Sequence, residues 1–270
     1  MDAATRLAGG AMNEYPRLCV VTAVDLEFDA AAGLLDGKTI SSDSLVCAGR
    51  RGDRQITVLK AGMSALGFAA RFSAHLAPGL PRLYDAVIVA GLAGGLNSKL
   101  GVGDAAVYDR CLDVRSMKKD GRKIEPPRDE IASLVSDNPL STFLESALRA
   151  ASIPAHRGAA ITMGQIVTEG REKRALGLRY GADAVDMETF AVWEVAARTG
   201  APVAALRIIS DDAMGDIPDF NRAYTPEGRM IASQMARVMA ARPGVTARFL
   251  NNLRIAAGAF KRGLEAVFDA

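Results

Sequence analysis

Histidine is nearly absent from this chain. Its 270 residues contain two, His75 and His156, and neither stands at metal-ligand spacing from another donor, so both are expected to be structural. Cysteine is scarce as well. Cys19, Cys47 and Cys111 form an odd set with no C-x-x-C pair, which argues against a disulfide framework and against a zinc site. Aromatic residues make up 6%, with Trp193 the only tryptophan, too few for the stacking platforms that hold single-stranded nucleic acid. Neither sign of charge dominates. The formal net charge is +2 with acids and bases interspersed, a balance that argues against a nucleic-acid partner. No apolar run reaches the ~18 residues of a membrane-spanning helix. The opening "MDAATRLAGGAMNEYPR" has two acids and no sustained apolar core, which makes a poor signal peptide. Residues 1–16 are read as a loose arm of a cytoplasmic protein.

What is present is apolar mass, 49% of the chain, arranged in alternating patterns. Short β-branched or apolar runs read as strands: "LCVVTAV" (18–24), "ITVLKAG" (56–62), "DAVIVAGLAGG" (85–95), "DAAVYDR" (104–110), "GAAITMG" (158–164), "ADAVDM" (182–187) and "PVAALRIIS" (202–210). Continuous apolar strands are expected when both faces of a sheet are covered. Helical spacing recurs between them, at 64–77, 139–152, 170–180 and 188–199. The alternation predicts an α/β fold, a three-layer α/β/α sandwich around a central, largely parallel mixed sheet. One domain is expected over 17–243, with the polar stretch 115–130 as an excursion from it. Residues 244–270 follow as an amphipathic helix, with Phe249, Leu253, Ala256, Phe260, Leu264 and Val267 on one face. That face fits packing on the same domain, or a weak contact with a membrane surface.

In open α/β sheets, sites form at the carboxyl ends of strands. Three such ends carry acids: Asp25 and Glu27 in "VDLEF", Asp186 and Glu188 in "DMET", and Asp211 and Asp212 in "SDDA". A single acid at such a place is adequately explained as a helix cap. Three acidic ends beside the glycine-rich stretch "AGLAGGLNSKLGVGD" (90–104) point to a shared cleft. That stretch has neither the Walker nor the G-x-G-x-x-G spacing, but its glycines let backbone approach a ligand closely.

Taken in order, "VTAVDLEF", "VAGLAGGLNSKLGVGD", "AVDMETFAVWEVA" and "LRIISDDA" resemble the purine nucleoside phosphorylase and nucleosidase superfamily over roughly residues 17–240. The general pattern is similar to 5′-methylthioadenosine/S-adenosylhomocysteine nucleosidases, and the C-terminal end is similar to hopanoid-associated members thought to release adenine from adenosylhopane. The resemblance implies a role for each strand end. Glu188 would accept hydrogen bonds from the ribose hydroxyls and Met187 would pack beneath the sugar. Asp211 would protonate or hydrogen-bond purine N7, and Glu27 would activate water. Gly94, Ile166, Val167, Ser210 and Phe220 are expected around the base or the 5′ side, although Ile166, Val167 and Phe220 are equally suited to core packing. The substrate implied is a small purine nucleoside, no metal or organic cofactor is required, and a homo-oligomer (dimer or trimer of dimers) is expected.

Breaking an N-glycosidic bond places positive charge on the ribosyl ring and negative charge on the departing base. One acid must then be protonated while another is ionised, which requires environments that separate their pKa values. A phosphorylase must in addition hold a phosphate dianion, usually with arginine. No basic residue precedes the glycine stretch in "DAVIVAGLAGG", and Arg207 within its strand is expected to pair with an acid. Arg50, Arg51 and Arg54 are the remaining candidates to reach a phosphate, and solvated surface is the better expectation for them. Hydrolysis is therefore the favoured chemistry. A phosphate-dependent phosphorylase and a non-catalytic nucleoside-binding protein are the alternatives. Phe190 and Trp193 depart from the small residues usual after the Met-Glu pair.

Overall fold

A computed structural model describes residues 15–62, 83–115, 118–119, 122–123, 131–225 and 230–270. The helix expected at 64–77 lies outside the described residues, as do most of the 115–130 excursion and residues 1–14. The strands are β1 (Arg17–Thr22), β2 (Asp36–Ile40), β3 (Val46–Arg51), β4 (Arg54–Lys60), β5 (Ala86–Gly95), β6 (Ala105–Asp113), β7 (Lys118–Lys119), β8 (Arg122–Lys123), β9 (Ser133–Val135), β10 (Ala155–Thr162), β11 (Ala184–Asp186) and β12 (Val203–Asp211). The helices are α1 (Asp25–Ala32), α2 (Asn138–Ala150), α3 (Gly170–Tyr180), α4 (Thr189–Thr199), α5 (Ala232–Ala241) and α6 (Pro243–Asp269).

Apart from the β7–β8 pair, the strands form one mixed sheet in the order β11-β10-β6-β12-β5-β1-β4-β3-β2, with β9 alongside β6. Strands β4, β1, β5 and β12 are parallel to one another. Strands β6, β10 and β11 run the opposite way, with β6 antiparallel to β12. The sheet then curls back on itself, because β11 also pairs with the end of β5, Ala184 opposite Gly95 and Val185 opposite Gly94.

Alternation along the central strands sorts their side chains onto two faces. Leu18, Val20, Ala86, Ile88, Ala90, Ala204, Leu206 and Ile208 join a core covered by α1, α2 and α6. Cys19, Val21, Val87, Val89, Ala205 and Ile209 face α4, where Phe190 and Trp193 are buried. Those two aromatics are core fillers. Each large apolar side chain so buried contributes about 1.5–3 kcal/mol. Helix α6 has the apolar face read from the sequence, and Ala256, Phe260, Leu264 and Val267 spend it inside the main core. Among the described residues, no helix is long and apolar enough to cross a membrane.

Candidate functional site

Alternation places residue 207 of β12 on the α4 face, between Ala205 and Ile209. The residue there is Arg207, 1% exposed in the middle of an otherwise apolar strand. It is expensive to bury a guanidinium without partners, and the join between β11 and α4 supplies them. Arg207 Nε lies 3.2 Å from Asp186 Oδ2 and Nη2 lies 3.3 Å from Glu188 Oε2. Nη2 also donates to Thr189 Oγ1 at 3.0 Å, and Nη1 to the Leu92 carbonyl at 3.4 Å. Burial pulls the Arg207 pKa down, but Asp186 and Glu188 outweigh it and hold the group above its ordinary value.

Asp186 and Glu188 differ in role. Asp186 is saturated from within: it accepts from the Thr162 hydroxyl at 2.8 Å, from the Glu188 and Thr189 amides at 3.2 and 3.1 Å, and from the Thr189 hydroxyl. It fixes the start of α4. Glu188 has the Arg207 contact on one oxygen and borders open space. Burial pushes its carboxyl from 4.5 up to about 8; Arg207 opposes this, and Asp186 and Glu27 add to it.

The sign of this shift gives a measurable pH dependence. A carboxyl raised in the folded state binds more protons than in the unfolded chain, so its contribution to stability is complete below the ordinary value of 4.5 and is lost as pH rises toward about 8. The ligand-free protein is expected to melt at progressively lower temperature between about pH 5 and about pH 9, and Glu188→Gln should flatten the curve. A melting temperature that rises over this range in the native protein, with no change in slope in the variant, would contradict it.

Glu27, 3% exposed, sits in the first turn of α1 and reaches back over the strand ends. Its Oε2 accepts from the Ala23 amide at 2.8 Å and the Val24 amide at 3.3 Å, and its Oε1 from the Leu92 amide at 2.8 Å. The helix-cap and cleft readings of this acid therefore both hold: it caps α1 and also lines the cavity. Burial raises its pKa, against the pull of Arg207 and the three amides. Gly91 explains part of the glycine-rich strand. A Cβ there would stand 2.5 Å from Arg207 Nη1 and 2.6 Å from Glu27 Oε1, so only glycine lets the two groups meet above β5.

The third acid, Asp211, ends β12. Its Oδ2 accepts from Ser210 Oγ at 2.7 Å, and its Oδ1 forms an ion pair with Lys173 of α3, whose side chain is fully buried. Gly94 admits it: a Cβ at Gly94 would lie 3.2 Å from Asp211 Oδ1.

Glu27, Met187, Glu188 and Asp211 surround one cavity of about 470 Å³, together with Gly94, Ile166, Val167, Ser210 and Phe220. Asp186 lines the same cavity, and the remaining two strand-end acids fall elsewhere. Asp25 is exposed and pairs with Lys60 at 2.6 Å, and Asp212 accepts from the Met214 and Gly215 amides of its own turn, both at 2.8 Å. Phe220, Tyr224, Met235, Met239, Phe249 and Leu253 add an apolar wall to the same cavity. Phe220 packs against Phe249 with ring centroids 4.9 Å apart and the rings tilted by 53°, and Asn221 holds the backbone of Ile166 at 2.8 and 2.9 Å. Sequence reasoning put Phe249 and Leu253 on the apolar face of the last helix without recognising that face as a cavity wall. Lys173 it missed altogether.

No lysine or arginine lines the cavity among the described residues. Arg51 is taken up by Asp269 at 2.6 Å, Arg54 by the carbonyls of Val267 and Phe268 at 3.3 Å, and Arg50 by the Asp53 carbonyl at 3.3 Å. Nor is there a cluster of His, Cys, Asp and Glu able to hold a metal ion among the described residues.

The family profile described as Phosphorylase superfamily matches residues 17–242. No curated protein matches the sequence significantly. Solved structures share the fold at low identity. The 5′-methylthioadenosine/S-adenosylhomocysteine nucleosidase of Neisseria meningitidis, in complex with methylthio-immucillin-A, superposes with a TM-score of 0.66 at 17% identity, covering 93% of this chain and 98% of that one. A mutant of the Helicobacter pylori nucleosidase with 5′-methylthioadenosine in its active site gives 0.62 at 17% identity, covering 88% and 98%. Futalosine hydrolase of Helicobacter pylori gives 0.61 at 18% identity, covering 88% and 97%.

Proposed function

The chain belongs to the phosphorylase superfamily, which comprises nucleoside phosphorylases and nucleosidases, and from that premise we propose that it hydrolyses the N-glycosidic bond of a 5′-substituted adenine nucleoside, releasing adenine. The observation that carries this reading is the lining of the cavity: four buried acids, Glu27, Asp186, Glu188 and Asp211, in an otherwise mostly apolar chamber, with no cation among its described lining residues. Such a chamber offers no cation to hold a phosphate dianion and suits water. The structural neighbours that bind 5′-methylthioadenosine or its immucillin analogue support an adenine nucleoside as the ligand.

In this reading Glu188 accepts the ribose hydroxyls and Met187 forms a soft, polarizable floor beneath the sugar. Asp211 passes a proton to N7 as the C1′–N9 bond breaks and its electron pair moves onto the base. Glu27 takes the proton of the water that attacks C1′. The methionine, phenylalanine and leucine wall contributed by α5 and α6 favours a large apolar 5′ substituent, of the adenosylhopane type, over a small polar one.

The test follows free adenine from 5′-methylthioadenosine, S-adenosylhomocysteine and adenosine, with and without phosphate. Release that ignores phosphate is expected, with the apolar methylthio substrate preferred to adenosine. Release that requires phosphate would overturn hydrolysis in favour of phosphorolysis.

A further inference from the structure

Lys173 belongs to none of the roles above and does not line the cavity, yet no part of its side chain is exposed. Its ammonium is in contact with Asp211 Oδ1. The remaining donors reach the carbonyls of Asp212 at 3.1 Å and Gly215 at 3.0 Å. Helix α3 is clamped to this same turn by other means. The Gly170 amide donates to Asp216 Oδ1 at 3.1 Å and Arg174 Nη1 to the Ala213 carbonyl at 3.0 Å. Gly170 itself has no room for a side chain, since a Cβ would stand 2.8 Å from the Met214 carbonyl oxygen. The start of α3 thus grips the turn after β12 at four places and delivers one buried cation to one site carboxylate.

We propose that Lys173 is a positioning residue for the leaving-group acid: it fixes the Asp211 carboxyl and supplies the countercharge for the carboxylate that remains once the proton has passed to the base. This inference rests on the nucleosidase reading. In the reacting complex Asp211 carries a proton taken up from solvent as substrate binds; that proton moves to N7 while the C1′–N9 pair moves onto the purine, and Asp211 returns to the carboxylate that faces the Lys173 ammonium in the free protein. The attraction is stronger after transfer than before it, so it lowers the barrier and does more than tighten binding. Ser210 on the other oxygen completes the fixation.

The experiment compares two substrates that share one 5′ group: the adenine nucleoside, whose leaving base needs a proton, and the p-nitrophenyl riboside, whose leaving phenolate does not. Lys173→Met is expected to lose about 10²–10³-fold in kcat/KM on the nucleoside, approaching Asp211→Asn, and to stay within about threefold of the native enzyme on the nitrophenyl riboside. Retained nitrophenolate release also reports that the variant is folded. Lys173→Arg should recover about tenfold, and Lys173→Met added to Asp211→Asn should cost nothing further. Equal losses on both substrates would reduce Lys173 to a structural support and overturn the inference, as would full adenine release by Lys173→Met. A native enzyme that releases no adenine from any nucleoside would instead overturn the nucleosidase reading, and this inference with it.

Discussion

Glu27→Gln is expected to lower kcat by about 10²–10⁴-fold while leaving KM and ligand affinity nearly unchanged, the range for loss of one well-placed general base. The reason lies in how Glu27 is held. Amides of Ala23, Val24 and Leu92 occupy both of its oxygens, so the group is locked in place and does not swing in to grip substrate. An amide in its place keeps the shape and loses the basicity. It also turns its NH₂ toward a backbone N–H that previously had an acceptor, at a stability cost of about 1–3 kcal/mol. Steady-state kinetics, calorimetric titration with a non-hydrolysed analogue, and a denaturant melt on the same preparation separate the three effects. Unchanged kcat would remove Glu27 from the reaction.

The second large effect is on folding. Arg207→Met is expected to destabilise the protein by about 3–5 kcal/mol, the cost of leaving buried charges without their partner. Asp186 and Glu188 are both buried beside the guanidinium, and Glu27 feels its charge across Gly91. Arg207→Lys should rescue little. A single ammonium cannot reproduce the fork that meets Asp186, Glu188, Thr189 and the Leu92 carbonyl at once. Chemical denaturation of both variants is the measurement, and a loss under ~1 kcal/mol in either would show that the acids find other partners.

The core strands and the site acids were legible because each is marked by a sharp change of character. Strands β1, β5 and β12 are apolar runs that stop at an acid or a glycine, and helices α3 and α4 start within a residue of the expected positions. Strand direction was less legible. Buried apolar runs read alike whichever way they point, so the reversal at β6, β10 and β11 and the closure of β11 onto β5 carry no sequence mark. Strand β2 escaped notice because all five of its residues are exposed, leaving no apolar alternation to read. Lys173 escaped because "GREKRALGLRY" has Arg, Glu, Lys and Arg in succession, and nothing local distinguishes the one cation that is buried from the others. Arg207 stood out for the opposite reason, as a charge with apolar residues on both sides within its strand.

Helix α5 has no buried residue, although Met235 and Met239 help to close the cavity. The acids that line the same cavity are buried and tied by backbone and ion-pair contacts. Mutations in the two regions therefore have different costs. On the proposed nucleosidase reading, a change at Met235 or Met239 is expected to alter which 5′ group fits and to disturb little else, whereas a change at Asp186, Arg207 or Glu27 spreads through a connected set of charges. If the proposed reaction holds, a lineage of such proteins can drift in substrate range by varying α5 and the cavity-facing side of α6 while the buried acids and Arg207 are inherited whole, and a designer has the same division of labour to exploit.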